Sequence, residues 1–80
     1  MNNFVVVTTY TYPSEYVVLK SILEEEEIPY VFENETMVTI SPFYSNALGG
    51  IKLKVHKNDL DKVRSIIERL NNKDSFLHIV

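Results

Sequence analysis

The clearest pattern in the chain is Ile51-Lys52-Leu53-Lys54-Val55, where apolar side chains alternate with lysine. Successive residues of a strand point to opposite faces, so this spacing predicts a strand with one face buried and one wet. Phe4-Val5-Val6-Val7-Thr8-Thr9-Tyr10 is almost continuously apolar or β-branched, which predicts a central strand buried on both sides or nearly so. Tyr16, Leu19, Ile22 and Leu23 share one helical face, with Val18 flanking it. Pro13-Ser14-Glu15 reads as the start of that helix, with a capping hydroxyl and an acid favoured by the helix dipole. The helix closes through Glu24 to Glu27 and stops at Ile28-Pro29, because proline disfavours helical backbone at the residue before it.

Tyr30-Val31-Phe32-Glu33 predicts a second strand, and Pro29 at its start places it at a sheet edge. Asn34-Glu35-Thr36 reads as a turn and Met37-Val38-Thr39-Ile40 as a short strand that hairpins back. Residues 41–50, Ser-Pro-Phe-Tyr-Ser-Asn-Ala-Leu-Gly-Gly, have no period and several turn formers, which predicts a loop. After the lysine-bearing strand, Asn58 with Asp61 three residues on predicts a capped second helix. Its apolar stripe is Leu60, Val63, Ile66, Ile67 and Leu70; Arg64 and Glu68 are expected to pair outside it, and Asn71-Asn72 to end it. The apolar 76–80 stretch reads as a last strand or a frayed tail. Two single-striped helices among these strands predict an α+β fold of the ferredoxin-like plait type (βαββαβ). In it, one antiparallel sheet carries both helices on one face.

Eighty residues predict one domain, 1–80, with a thin core, for which self-association into a homo-oligomer is a reasonable device. No cysteine is present, which excludes disulfides, thiolate metal sites and cysteine nucleophiles. No basic leader precedes an apolar stretch and none approaches the ~18 residues of a membrane span, so the expectation is a cytoplasmic protein without membrane contact. Residues 1–50 hold one base, Lys20, against seven acids, whereas 51–80 hold seven bases against four. The bases are scattered through periodic segments among acids, so complementary faces within a domain or oligomer are expected rather than a nucleic-acid-binding tail.

Catalytic chemistry finds little to work with. His56 and His78 lack partners at metal-ligand spacing, no serine sits in a nucleophile turn, and the four glutamates point around a solvated helix end. The expectation is a protein that is not an enzyme and needs no cofactor or metal. Ser45-Asn46-Ala47-Leu48-Gly49-Gly50 is the distinctive stretch: two glycines permit positive φ or close backbone approach, and Ser and Asn supply short-range hydrogen bonds. It runs into a strand and lacks a phosphate-binding lysine. Phe43, Tyr44, Ser45, Asn46, Gly49 and Gly50 are therefore the candidate contacts for an unidentified protein or small ligand. The structural alternative is that Gly49-Gly50 merely turns the chain into the next strand while Phe43 and Tyr44 pack down on the sheet.

The run Leu23-Glu-Glu-Glu-Glu-Ile28-Pro29, Asn34 after the second strand, and Tyr44-Ser-Asn-Ala-Leu-Gly-Gly-Ile-Lys-Leu-Lys-Val55 together resemble a bacterial family. It is the family described as prokaryotic signal-transducing proteins, otherwise labelled a domain of unknown function. The resemblance covers about residues 4–70 and is most specific in Ser-Asn-Ala-Leu-Gly-Gly. Glu27 departs from it, since glycine is expected there as the left-handed helix terminator. The resemblance implies a fold similar to the nitrogen-regulatory PII-like proteins, whose connection between the second and third strands is the signalling loop. By that analogy residues 34–50 would be the working segment, and the function expected is a non-catalytic regulatory or signal-transducing binding module that acts through the 41–50 loop. A structural or oligomerisation module without a small-molecule ligand is the alternative.

Overall fold

The lysine-alternating strand is the centre of the molecule. In the computed structural model, which describes residues 3–41 and 43–79 (of Tyr44, Ser45 and 73–79, the backbone alone), β3 spans Ile51–His56. It lies between β1, Phe4–Tyr10, and β2, Tyr30–Glu33, antiparallel to both. Ile51, Leu53 and Val55 are 0% exposed, and the registers set Val5, Tyr10, Tyr30 and Phe32 beside them on one face. Lys52, Lys54 and His56 turn to the other face, beside Phe4, Val6, Thr9, Val31 and Glu33.

Four α-helices complete the described residues: α1 Val17–Glu25, α2 Glu35–Ile40, α3 Tyr44–Leu48 and α4 Leu60–Ile79. A 3₁₀ turn, Pro13–Tyr16, leads into α1, and another, Lys57–Asp59, into α4. Tyr16, Leu19 and Leu23 from the first helical segment meet Val38 of α2, Val63 and Ile66 of α4, and the buried side chains of β3 in one cluster. Because that cluster includes all three inward β3 residues, α1, α2 and α4 cover the same face of the sheet. Each fully buried aliphatic side chain contributes about 1.5–3 kcal/mol, so β3 with its two flanking helices accounts for much of the stability.

The fold is thus mixed α+β around a three-stranded antiparallel sheet, and the fourth strand of the expected plait is not formed among the described residues. Residues 71–79 continue α4 instead. Nothing between Leu70 and Phe76 is glycine or proline, and two asparagines cost only a few tenths of a kcal/mol each in a helix. Val80 lies outside the described residues. Without a fourth strand, β1 is an edge strand rather than a central one, and Val6 is 46% exposed. Residues 37–40 are helical, not a strand. Asn34 turns the chain with a left-handed φ of 75°, the Val38 amide donates to the Asn34 carbonyl, and one turn of helix then buries Val38. The predicted 41–50 loop likewise contains α3.

The caps differ from expectation too. Glu15, not Ser14, secures the first turn, its carboxylate accepting from the amides of Thr11 (2.6 Å) and Tyr12 (2.9 Å). At the second helical segment His56 Nδ1 accepts from the Asn58 amide at 3.1 Å, so histidine rather than Asn58 supplies the capping group. Arg64 and Glu68 form no ion pair among the described residues. An arginine four residues before a glutamate is the weaker orientation on a helix. Two ion pairs join the acidic first part of the chain to the basic second part, Lys54–Glu33 at 2.6 Å and Lys62–Glu26 at 3.3 Å. The Lys54 ammonium holds the Glu33 carboxyl below its usual range.

The end of α1 shows what Glu27 does in place of glycine. The Ile28 amide bonds back to the Leu23 carbonyl (2.9 Å) and the Glu27 amide to the Glu24 carbonyl (3.1 Å), with Glu27 left-handed at φ 58°. This is a Schellman end carried by a residue with a Cβ. Glu27→Gly is therefore expected to stabilise the protein by about 1 kcal/mol, raising Tm by about 4–8 °C in a thermal melt.

Beside it, the Tyr30 hydroxyl donates to Glu24 Oε1 at 2.7 Å, and this bond, with burial and nearby carboxylates, lifts the Tyr30 pKa from 10.0 to about 12. Folding thus favours protonated Tyr30. Its contribution is complete below pH 10, declines as pH rises, and is gone once pH passes the folded value. Denaturant midpoints are expected to fall between pH 10 and 12, and to fall less steeply in Tyr30→Phe.

Candidate functional site

The connector from β2 to β3, residues 34–50, is fastened at both ends and displayed in the middle. At one end, Glu35 Oε2 accepts from the Tyr16 hydroxyl at 2.5 Å, with the Lys20 ammonium 3.9 Å away. Burial first, and then this bond, raise the Tyr16 pKa far above the ordinary tyrosine value, so its proton stays in place as the donor. At the other end, Asn34 Nδ2 donates to the Gly50 carbonyl at 3.2 Å, closing the segment on itself.

Of the six residues singled out from sequence, Asn46, Gly49 and Gly50 come together. With Thr9, Tyr10 and Thr11 they line a surface depression of about 200 Å³ beside the end of β1. Gly50 is buried with φ +92°, and a Cβ there would stand 2.7 Å from Thr9 Cγ2 and 2.8 Å from the Tyr10 carbonyl oxygen. That glycine is needed for close packing on β1. Gly49, at φ +78°, faces open space and serves the turn out of α3. Phe43 does not line the depression; it is 86% exposed and does not pack down on the sheet. Tyr44 and Ser45 lie in α3, and their side chains fall outside the described residues.

Two further apolar residues of the connector are exposed. Met37 is 43% and Ile40 72% exposed, so three large apolar side chains of the same connector, Met37, Ile40 and Phe43, stand in water. The signal was present once 35–40 is helical: with Val38 inward, positions 37 and 40 turn outward. A strand reading of 37–40 hides it, because Ile40 then shares a face with Val38 and would be core.

Chemically this segment offers apolar contact and a few backbone groups. Among the described residues no group of three His, Cys, Asp or Glu side chains is placed to hold a metal ion, and no helix is long and apolar enough to cross a membrane. His78 lies outside the residues whose side chains are described, and His56 is engaged as a helix cap with its ring 6.0 Å from that of Phe4. Comparison of the chain with protein-family models, curated proteins and solved structures yields no match.

Proposed function

We propose that this protein is a non-catalytic regulatory or signal-transducing module that binds a protein partner through residues 34–50. The observation that carries this reading is the exposure of Met37, Ile40 and Phe43 on a connector whose two ends are tied to the body. Phenylalanine and methionine are enriched at contact surfaces. A protein surface fits better than a small ligand, since the depression at Asn46, Gly49 and Gly50 holds about 200 Å³, whereas ligand pockets run to ~300–1,000 Å³.

Kinship with ferredoxin-like, PII-like domains belongs to the same proposal. The strand order β1-β3-β2 with helices on one face supports it, and so does the position of 34–50 between the second and third strands. A photoreactive benzoylphenylalanine at position 43, irradiated in cells, tests the reading. A discrete adduct is expected, lost when Met37 and Ile40 become serine and absent when the probe replaces exposed Ser21. Equal labelling from positions 43 and 21, or none from 43, would refute it.

A further inference from the structure

We infer that α2 is a latched strap: it opens as a unit about Asn34 while the sheet and the other helices stay folded, and the Tyr16–Glu35 hydrogen bond is the latch. α2 has six residues, whereas helices shorter than ~12–15 residues are marginal without packing. Four of the six, Thr36, Val38, Thr39 and Ile40, are β-branched and therefore weak helix formers. The Thr39 hydroxyl is spent within the helix, donating to the Glu35 carbonyl at 2.8 Å. Among the described residues, what holds α2 down is Val38, its one buried side chain, and Glu35, which accepts the Tyr16 hydroxyl bond with the Lys20 ammonium 3.9 Å away.

The backbone on either side leaves the helix abruptly. Asn34 ahead of it is left-handed at φ 75°, and Ser41 behind it is extended at φ −147° and ψ 113°. Asn34 is itself pinned, since its side-chain amide donates to the Gly50 carbonyl at 3.2 Å. The pivot thus stays on the body. Opening undoes the burial of Val38 and the bond to Glu35, while Tyr16 keeps its stack on Phe32 and β2 its pairing with β3. Segments with so few buried contacts open at a fraction of the free energy of global unfolding. A partner that grips Met37 and Ile40 on the closed helix finds them in place only while the latch holds, so the latch sets its apparent affinity. That consequence rests on the reading of 34–50 as a binding segment; the opening itself does not.

Amide hydrogen exchange of the free, full chain in low urea tests the inference. The Val38 and Ser41 amides, which donate to the carbonyls of Asn34 and Met37, are expected to exchange about a hundredfold faster than the amides of β3, with little dependence on urea. Tyr16→Phe, which removes the latch, is expected to speed them about fivefold. Ile66→Val loosens the body where Ile66 borders a hollow with Ile22 and Leu70. It is expected to speed the β3 amides about fivefold and to leave Val38 and Ser41 unchanged. Equal rates in α2 and β3, α2 rates that follow urea or Ile66→Val as β3 does, or α2 rates unmoved by Tyr16→Phe would each overturn the inference. With the expected rates in hand, absence of the adduct at position 43 would count against the binding reading alone.

Discussion

Tyr16→Ala is expected to lower the unfolding free energy by about 3–5 kcal/mol, a large share of the roughly 4–12 kcal/mol that a domain of this size possesses. Tyr16 is 2% exposed and stacks on Phe32 with ring centroids 3.9 Å apart and planes 10° from parallel. Tyr10 leans against it at 5.2 Å. The ring therefore joins the α1 segment to both edge strands, while its hydroxyl holds Glu35 at the start of the connector. Truncation removes three contacts at once and leaves a cavity that rigid β3 neighbours cannot close. Tyr16→Phe separates the parts: the stack survives, only the hydroxyl bond is lost, and the expected cost is about 1 kcal/mol. Urea unfolding of the two variants checks both values; similar losses would show that the hydroxyl, not the ring, is the main contribution.

Gly50→Ala is expected to cost about 2–4 kcal/mol, against about 1 kcal/mol for Gly49→Ala. The two glycines are adjacent and both have positive φ, so conformational preference alone predicts similar losses. The difference comes from surroundings. An alanine at 49 meets nothing within 4 Å, whereas one at 50 meets the Tyr10 carbonyl oxygen at 2.8 Å, and a backbone oxygen held in the β1–β3 pairing cannot step aside. The same displacement would lengthen the Asn34 bond to the Gly50 carbonyl. Thermal melts of both variants measure the gap, and equal destabilisation would place the cost in the backbone rather than in the close approach.

What could be read in the sequence follows from how far each signal extends. β3 was legible because alternation of lysine with Ile51, Leu53 and Val55 reports both faces directly. The α1 and α4 stripes were legible for the same reason at helical period, and one-sided covering of the sheet followed from them. β1 was misplaced as central because its valines state a preference for strand, not a count of neighbours. Whether a strand lies alongside it depends on residues 76–80, where an apolar stretch fits a helix as readily. At 34–50 the turn-forming glycines were legible, whereas the helices and the exposure of Phe43 were not. Met37-Val38-Thr39-Ile40 carries β-branched residues whose local preference is overridden by the left-handed turn at Asn34 and the burial of Val38.

The helices and β3 hold the body together, and Met37, Ile40 and Phe43 stand outside that core. Urea unfolding of the double variant Ile40→Ser, Phe43→Ser tests this division most directly. A free energy within about 0.5 kcal/mol of the parent is predicted, as for surface substitutions. A loss above about 2 kcal/mol would mean that these side chains are part of the core, and would contradict that claim.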